Sequence, residues 1–136
     1  MTVSELARCA GVTADTVRHY TRNGLLEPIR DESNGYNCYG SGDLARLLFV
    51  RKARLLGFRL GDIGDILKES SHGRSPCPKV RKIMEKRLEE TRCKLQGLAK
   101  LQKRMEYALA LWAHMPDGMP DGYDVCHLIE KISMLD

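Results

Sequence analysis

Five thiols are the side chains in this 136-residue sequence best equipped for chemistry of their own: Cys9, Cys38, Cys77, Cys93 and Cys126. The number is odd and no pair is spaced as CxxC. The first point argues against a disulfide framework in a chain with no visible export signal, and the second removes the usual structural-zinc pattern. Reduced thiols are the expectation. A thiolate suits two kinds of chemistry, ligation of soft or borderline metal ions and reaction with oxidants or electrophiles. No Ser-His-Asp order, P-loop, GxGxxG or HExxH is present, so the chain is not expected to be an enzyme.

Bulk properties place few limits on what those thiols serve. The formal net charge is +4 and the pI about 8.9, which permits nucleic-acid binding without demanding it. Residues 1–70 carry ten Lys/Arg against nine Asp/Glu, and the remainder carries twelve against nine. The positive charge is therefore not concentrated at the N-terminal end. No apolar run approaches the roughly 18 residues of a membrane span, and no basic stretch followed by an apolar one opens the sequence. The cytoplasm is the expected compartment, with no membrane partner.

The elements that must position the thiols can be read from periodicity and punctuation. Val3, Leu6 and Ala7 share a helical face over residues 3–9, and Gly11 ends that helix. Thr13 is a candidate N-cap for a second short helix over residues 14–22, stopped by Asn23-Gly24. Two short helices about a tight glycine turn form a helix-turn-helix. Residues 30–39 lack a helical period and hold the turn signal Ser33-Asn34-Gly35, which predicts a small β-hairpin. Ser41 or Asp43 is positioned to cap a third helix reaching Leu56 and ended by Gly57. A fourth is expected over residues 60–69, with Ile63, Ile66 and Leu67 inward. A Ser-, Gly- and Pro-rich break fills residues 70–78.

Residues 79–112 contain no proline and only Gly97 as a weak helix former. Apolar or neutral residues recur at Met84, Leu88, Thr91, Leu95, Leu98, Gln102, Met105, Leu109 and Trp112. The steps alternate between four and three, a heptad seam. A helix this long spans about 50 Å. A globular core built from the preceding 70 or so residues is too small to cover it, so the seam predicts a coiled-coil dimer. Residues 115–123 read as loop, and residues 125–134 as a short terminal helix.

The motifs now assembled resemble those of the MerR family of transcription regulators. Thr16-Val17-Arg18-His19-Tyr20 followed by Gly24-Leu25-Leu26 is similar to that family's TxRxYxxxGLL signature. Asn34-Gly35-Tyr36 and Tyr39 stand at its wing. Phe49-Val50, Leu55-Leu56-Gly57-Phe58, Ile63 and Leu67 match its later segments. The resemblance implies a mainly α fold: a winged helix-turn-helix over residues 1–70, a linker at 71–78, a dimerisation helix at 79–112 in an antiparallel coiled coil, and an effector loop with a short helix at 113–136. It implies a homodimer that binds promoter DNA with an overlong spacer and, on binding its effector, distorts that DNA so RNA polymerase can engage. Thr16, Arg18, His19, Tyr20 and Arg22 of the second helix, with Tyr36 and Asn37 of the wing, are the implied DNA contacts. Val17 would face the core. One departure stands out: the family usually carries arginine after the wing Gly-Tyr, and here Asn37-Cys38 follow. An uncharged Asn37 implies a grip that is weaker and less salt-dependent, with Arg30 opposite to compensate.

Metal-sensing members of the family place one cysteine before the long helix and two in the loop after it. Cys77 matches the first and Cys126 the last, while Trp112 occupies the middle position. In an antiparallel pair the start of one helix lies beside the end of the other, so Cys77 would approach the partner's Cys126, giving two sites per dimer. The implied effector is a divalent soft metal ion, Hg, Cd, Pb or Zn, with His114 and His127 as nitrogen donors for those that need more than two ligands. Three other readings remain open. The two cysteines form a redox- or electrophile-sensitive pair; Cys77-Pro78 is similar to a short haem-binding motif; or Trp112, Tyr107, Met105, Met115 and Tyr123 line an organic-ligand pocket.

Overall fold

The computed structural model describes residues 1–133. It contains α1 (Val3–Ala10), α2 (Ala14–Arg22), β1 (Ile29–Arg30), β2 (Asn37–Cys38), α3 (Ser41–Leu55), α4 (Leu60–Ser71), α5 (Cys77–Trp112) and α6 (His127–Glu130). The chain divides into two compact units, one spanning Met1–Leu88 and one from Glu89 onward. Among the described residues no helix is long and apolar enough to cross a membrane.

The first unit begins with two capped helices. The Thr2 hydroxyl accepts from the Glu5 amide and the Thr13 hydroxyl from the Thr16 amide, each at 3.1 Å. Both satisfy amides that a helix start leaves orphaned. Between them Gly11 adopts φ 69°, a left-handed conformation that closes α1 and turns the chain into α2. Leu6, Ala7 and Ala10 of α1 pack with Val17, Leu26, Tyr39 and Leu47 in a first buried cluster. Thr21 donates to the Val17 carbonyl at 2.8 Å, so the Tyr39 phenol is the donor in its 2.7 Å bond to Thr21. That bond ties the end of the hairpin to α2.

The hairpin pairs Ile29 with Cys38 and Arg30 with Asn37, antiparallel. Its turn is fastened locally. Asp31 accepts from the Ser33 amide and hydroxyl, Asn34 from the Tyr36 amide, and Gly35 takes φ 74°. Those Ser33 bonds also hold the Asp31 carboxyl below its ordinary pKa.

At the start of α3 the structure departs from the expected cap. Gly40, not Ser41 or Asp43, is the N-cap residue. Asp43 lies inside the helix, is buried, and accepts from the Gly40 amide at 3.0 Å and the Glu27 amide at 2.9 Å. One carboxylate thus fixes both the start of α3 and the segment entering the hairpin.

A second cluster joins Leu25, Val50, Ala53, Phe58, Ile63 and Ile66, with Val80, Ile83 and Met84 of α5 packed against it. Tyr20 touches both clusters. Helix α4 runs to Ser71, two residues beyond its expected end, and α5 begins at Cys77, inside the expected break. Pro78 does not prevent this. In the first turn its missing N–H is not needed by the helix, and its fixed φ suits that position. Helix α6 is shorter than the expected 125–134, and Met134 of that expectation lies outside the described residues.

Asp62 holds α4 and α5 together. It accepts from the Arg59 amide at 3.1 Å, capping α4, and pairs with Arg87 at 2.8 Å in a mostly buried site. Burial pulls the Asp62 carboxyl upward, but the Arg87 hydrogen bonds, the Arg59 amide and the charges of both arginines outweigh it and leave the pKa lowered. A lowered carboxyl contributes stability above its unfolded value and loses it as pH falls through the folded one. Arg87→Gln is therefore expected to cost about 1–3 kcal/mol at neutral pH. In urea unfolding the gap between variant and wild type should shrink once pH drops below the ordinary carboxyl value of 3.8. A gap unchanged at about pH 3 would mean the pair contributes nothing through ionisation.

Candidate nucleic-acid interface and effector region

Helix α2 is fixed from behind by Val17, which is fully buried, and this turns Arg18, His19 and Arg22 outward. Thr16 and Tyr20 are half-buried. The Thr16 hydroxyl lies 2.8 Å from that of Thr13, within the helix cap. The Tyr20 body packs on the core and its ring tilts against His19, with centroids 5.8 Å apart. On the wing, Tyr36 is 74% exposed and Asn37 is also exposed.

An open cleft of about 810 Å³ lies between the start of α1, Arg18 of α2 and the hairpin. Arg18, Arg30, Tyr36 and Asn37 line it together, so one concave surface holds expected contacts from both the second helix and the wing. Thr16, His19, Tyr20 and Arg22 do not line it. Ser4 and Glu5 do, and sequence reasoning missed them. They lie on the exposed side of α1, where no pattern distinguishes a cleft wall from a solvated face.

Arg18 is not idle. Its guanidinium pairs with Asp15 at 2.8 Å, and both side chains are largely exposed. An exposed pair of this kind is worth well under about 1 kcal/mol. A phosphate would displace it at little cost. Across the hairpin, Arg30 donates to the Gly35 carbonyl at 3.1 Å, which holds the arginine along the wing.

In the second unit the loop after α5 folds back through two side chains. The Trp112 indole N–H donates to the Leu128 carbonyl at 2.7 Å. The His127 Nε2 lies 2.8 Å from the Pro116 carbonyl, and its ring covers the face of Gly118 so closely that any Cβ there would collide with it. A carbonyl only accepts, so Nε2 carries the proton in this bond. Cys126 is half-buried at the N-cap of α6 and His114 is exposed; Cys77, in the first unit, is exposed at the first position of α5.

Whether these residues suit a metal ion depends on the donor count. Within one chain, among the described residues, no three His, Cys, Asp or Glu side chains gather into a group that would hold one. Trp112 offers no lone pair, and His127 has committed Nε2 elsewhere. Two thiols, Cys77 and Cys126, remain as soft donors, with His114 exposed. Trp112→Phe removes the indole N–H together with the five-membered ring that carries it. It is expected to speed limited proteolysis within residues 113–126 several-fold, because the bond closing that loop is gone. Unchanged cleavage would show that packing alone closes it.

Comparisons with known proteins agree with the geometry. Residues 1–70 match the MerR HTH family regulatory protein domain, and residues 44–108 match the family's DNA-binding segment. The HTH-type transcriptional regulator ZntR of Escherichia coli K12 is 33% identical over 107 residues, covering 76% of this chain and 74% of that one. The mercuric resistance operon regulatory protein of Shigella flexneri is 32% identical over 104 residues, covering 75% and 69%. The fold is that of the regulator PbrR691 from Ralstonia metallidurans, solved with lead(II): TM-score 0.74, 22% identity, 96% of this chain and 97% of that one. The chain belongs to the MerR family of helix-turn-helix, DNA-binding transcription regulators.

Proposed function

We propose that this regulator acts as an antiparallel homodimer that activates a promoter with an overlong spacer. On this reading it distorts the DNA for RNA polymerase when a soft divalent metal ion is held by Cys77 of one copy and Cys126 of the other. The observation that carries the DNA half is the shared cleft, where Arg18 of α2 meets Arg30, Tyr36 and Asn37 of the wing. A recognition helix and a wing grip duplex DNA only if both face the same side. Thr16, His19, Tyr20 and Arg22 complete the proposed contact surface outside the cleft. Arg18→Ala is expected to weaken specific binding by roughly 1–3 kcal/mol in a gel shift at fixed salt. Unchanged affinity would remove α2 from the role of reader.

The effector half is supported by relatives named for mercuric resistance and by a structural neighbour solved with lead(II). Cys77 and Cys126 would hold the ion, and a soft divalent ion would supply a cross-link between copies. Two thiolates satisfy Hg(II); Cd, Pb or Zn would also recruit His114, or His127 through Nδ1, the nitrogen not bonded to Pro116. Metal-competition binding on the reduced protein, repeated with Cys77→Ser and Cys126→Ser, tests this. Tight stoichiometric binding lost in both variants is the expected result. Binding that survives both variants would move the site elsewhere.

One observation favours a second reading. Trp112 offers no lone pair and the Nδ1 of His127 is set against Gly118, so a ready third ligand would have to come from His114. Thiol-redox or electrophile sensing needs none. No soft-ion binding, with promoter activity still switched by an oxidant, would select it.

A further inference from the structure

Helix α5 has 36 residues and no fully buried residue, and residues 91–107 are exposed on every face. Leu95 and Leu98 are each 62% exposed, Met105 56% and Leu109 67%. The proposed dimer, on which this inference rests, covers that stripe with a second copy. An apolar stripe alone does not say in which register, because leucine packs on leucine equally well one heptad up or down. Two positions along the seam are polar, Thr91 and Gln102.

Trp112, the last position of the seam, is turned to its own chain by its bond to Leu128. The seam left for a partner runs from Met84, which is half-buried on its own core and offers only its remaining face, to Leu109. Its midpoint lies between Gln96 and Gly97, and Thr91 and Gln102 are equidistant from it. In an antiparallel pair with full overlap, each Met84 therefore meets a Leu109, each Leu88 a Met105, each Leu95 a Leu98, and each Thr91 a Gln102. A slip of one heptad sets Thr91 against Leu95 and Gln102 against Met84, or Thr91 against Leu109 and Gln102 against Leu98. Either slip also leaves two seam positions of each copy without a seam partner.

We infer that Thr91 of one copy and Gln102 of the other form a polar layer, repeated twice by symmetry, that fixes the register of the dimer. Thr91 is engaged within its own chain. A hydroxyl offers two acceptor lone pairs besides its proton, and a Gln amide both donates and accepts, so the two match across the seam. Opposite Leu or Met, the amide is buried with nothing to bond, and that penalty excludes the slipped registers. Register in turn decides which residues of the two helix ends stand opposite each other. In the full-overlap register Cys77 lies across from the segment just after the partner's Trp112.

The full chain carrying Leu88→Cys and Met105→Cys, with Thr91 and Gln102 kept, tests this with a short bismaleimide, followed by peptide mapping that separates the new cysteines from the native five. Cross-links joining position 88 of one copy to 105 of the other are expected to dominate. Links of 88 to 88 and 105 to 105 would overturn the inference in favour of a parallel pair. A dimer showing neither set would overturn it through a different register. A wild-type monomer in light scattering would instead remove the dimer itself. A conservative variant guards against damage by the cysteines. Gln102→Leu, in the same cysteine background, is expected to keep its helix content by circular dichroism yet lose the single register, with 88-to-105 links falling several-fold as slipped ones appear, because a polar seam position specifies register at a cost in stability. Thr91→Gln combined with Gln102→Thr should keep the 88-to-105 links dominant. A Gln102→Leu dimer cross-linked only in the original register would refute the polar layer.

Discussion

The exposure of α5 is the constraint on which the rest depends. A helix this long with no buried residue carries a row of large apolar side chains, each worth about 1.5–3 kcal/mol if covered. The 76 residues before it close two clusters of their own. Only the first turns of α5, through Val80, Ile83 and Met84, join that core. The helix thus has one end in a DNA-reading unit and the remainder waiting for a partner. The proposed dimer would cover that uncovered stripe with a second copy.

Two carboxylates then make the first unit stiff enough to use. Asp43 collects the amides of Glu27 and Gly40, so the hairpin cannot swing away from α3 without stranding a buried charge. Asp62 caps α4 and grips Arg87, so the early part of α5 cannot turn independently of α4. Wing, recognition helix and the root of the long helix are therefore coupled through packed side chains and two charge-assisted contacts.

Much of this was legible in the sequence, for reasons that differ by element. The Thr13 cap and the extent of α2 are local, so periodicity and capping chemistry found them to the residue. The seam is local as well, since it repeats within one helix. The start of α5 at Cys77 was missed because Ser-Pro-Cys-Pro reads as a break, although proline in a first helical turn is harmless. Asp43 looked like a cap, and its longer reach to Glu27 depends on where the hairpin entry folds. The Trp112 bond to Leu128 and the His127 bond to Pro116 join positions 16 and 11 residues apart across an irregular loop, and no periodic signal marks such pairs. Of the effector residues, the sequence named the thiols but not that two of their neighbours were already engaged.

The electrostatics of the DNA-facing side set how such a regulator must work. Residues 1–70 have nearly balanced charge, and Asp15 and Asp31 sit beside Arg18 and Arg30 respectively. A surface like this draws little from counterion release, which scales with the number of phosphates neutralised. Asn37, where arginine is usual, lowers that number further. Specific affinity must then come from a few well-placed bonds made at two half-sites at once, and from DNA that bends cheaply enough to bring both within reach. Two half-sites are engaged together only if the copies are held at a fixed spacing. In the proposed dimer the length and register of α5 would supply that spacing, so the helix that lacks a core of its own would also set the geometry in which a weakly charged reader can be selective.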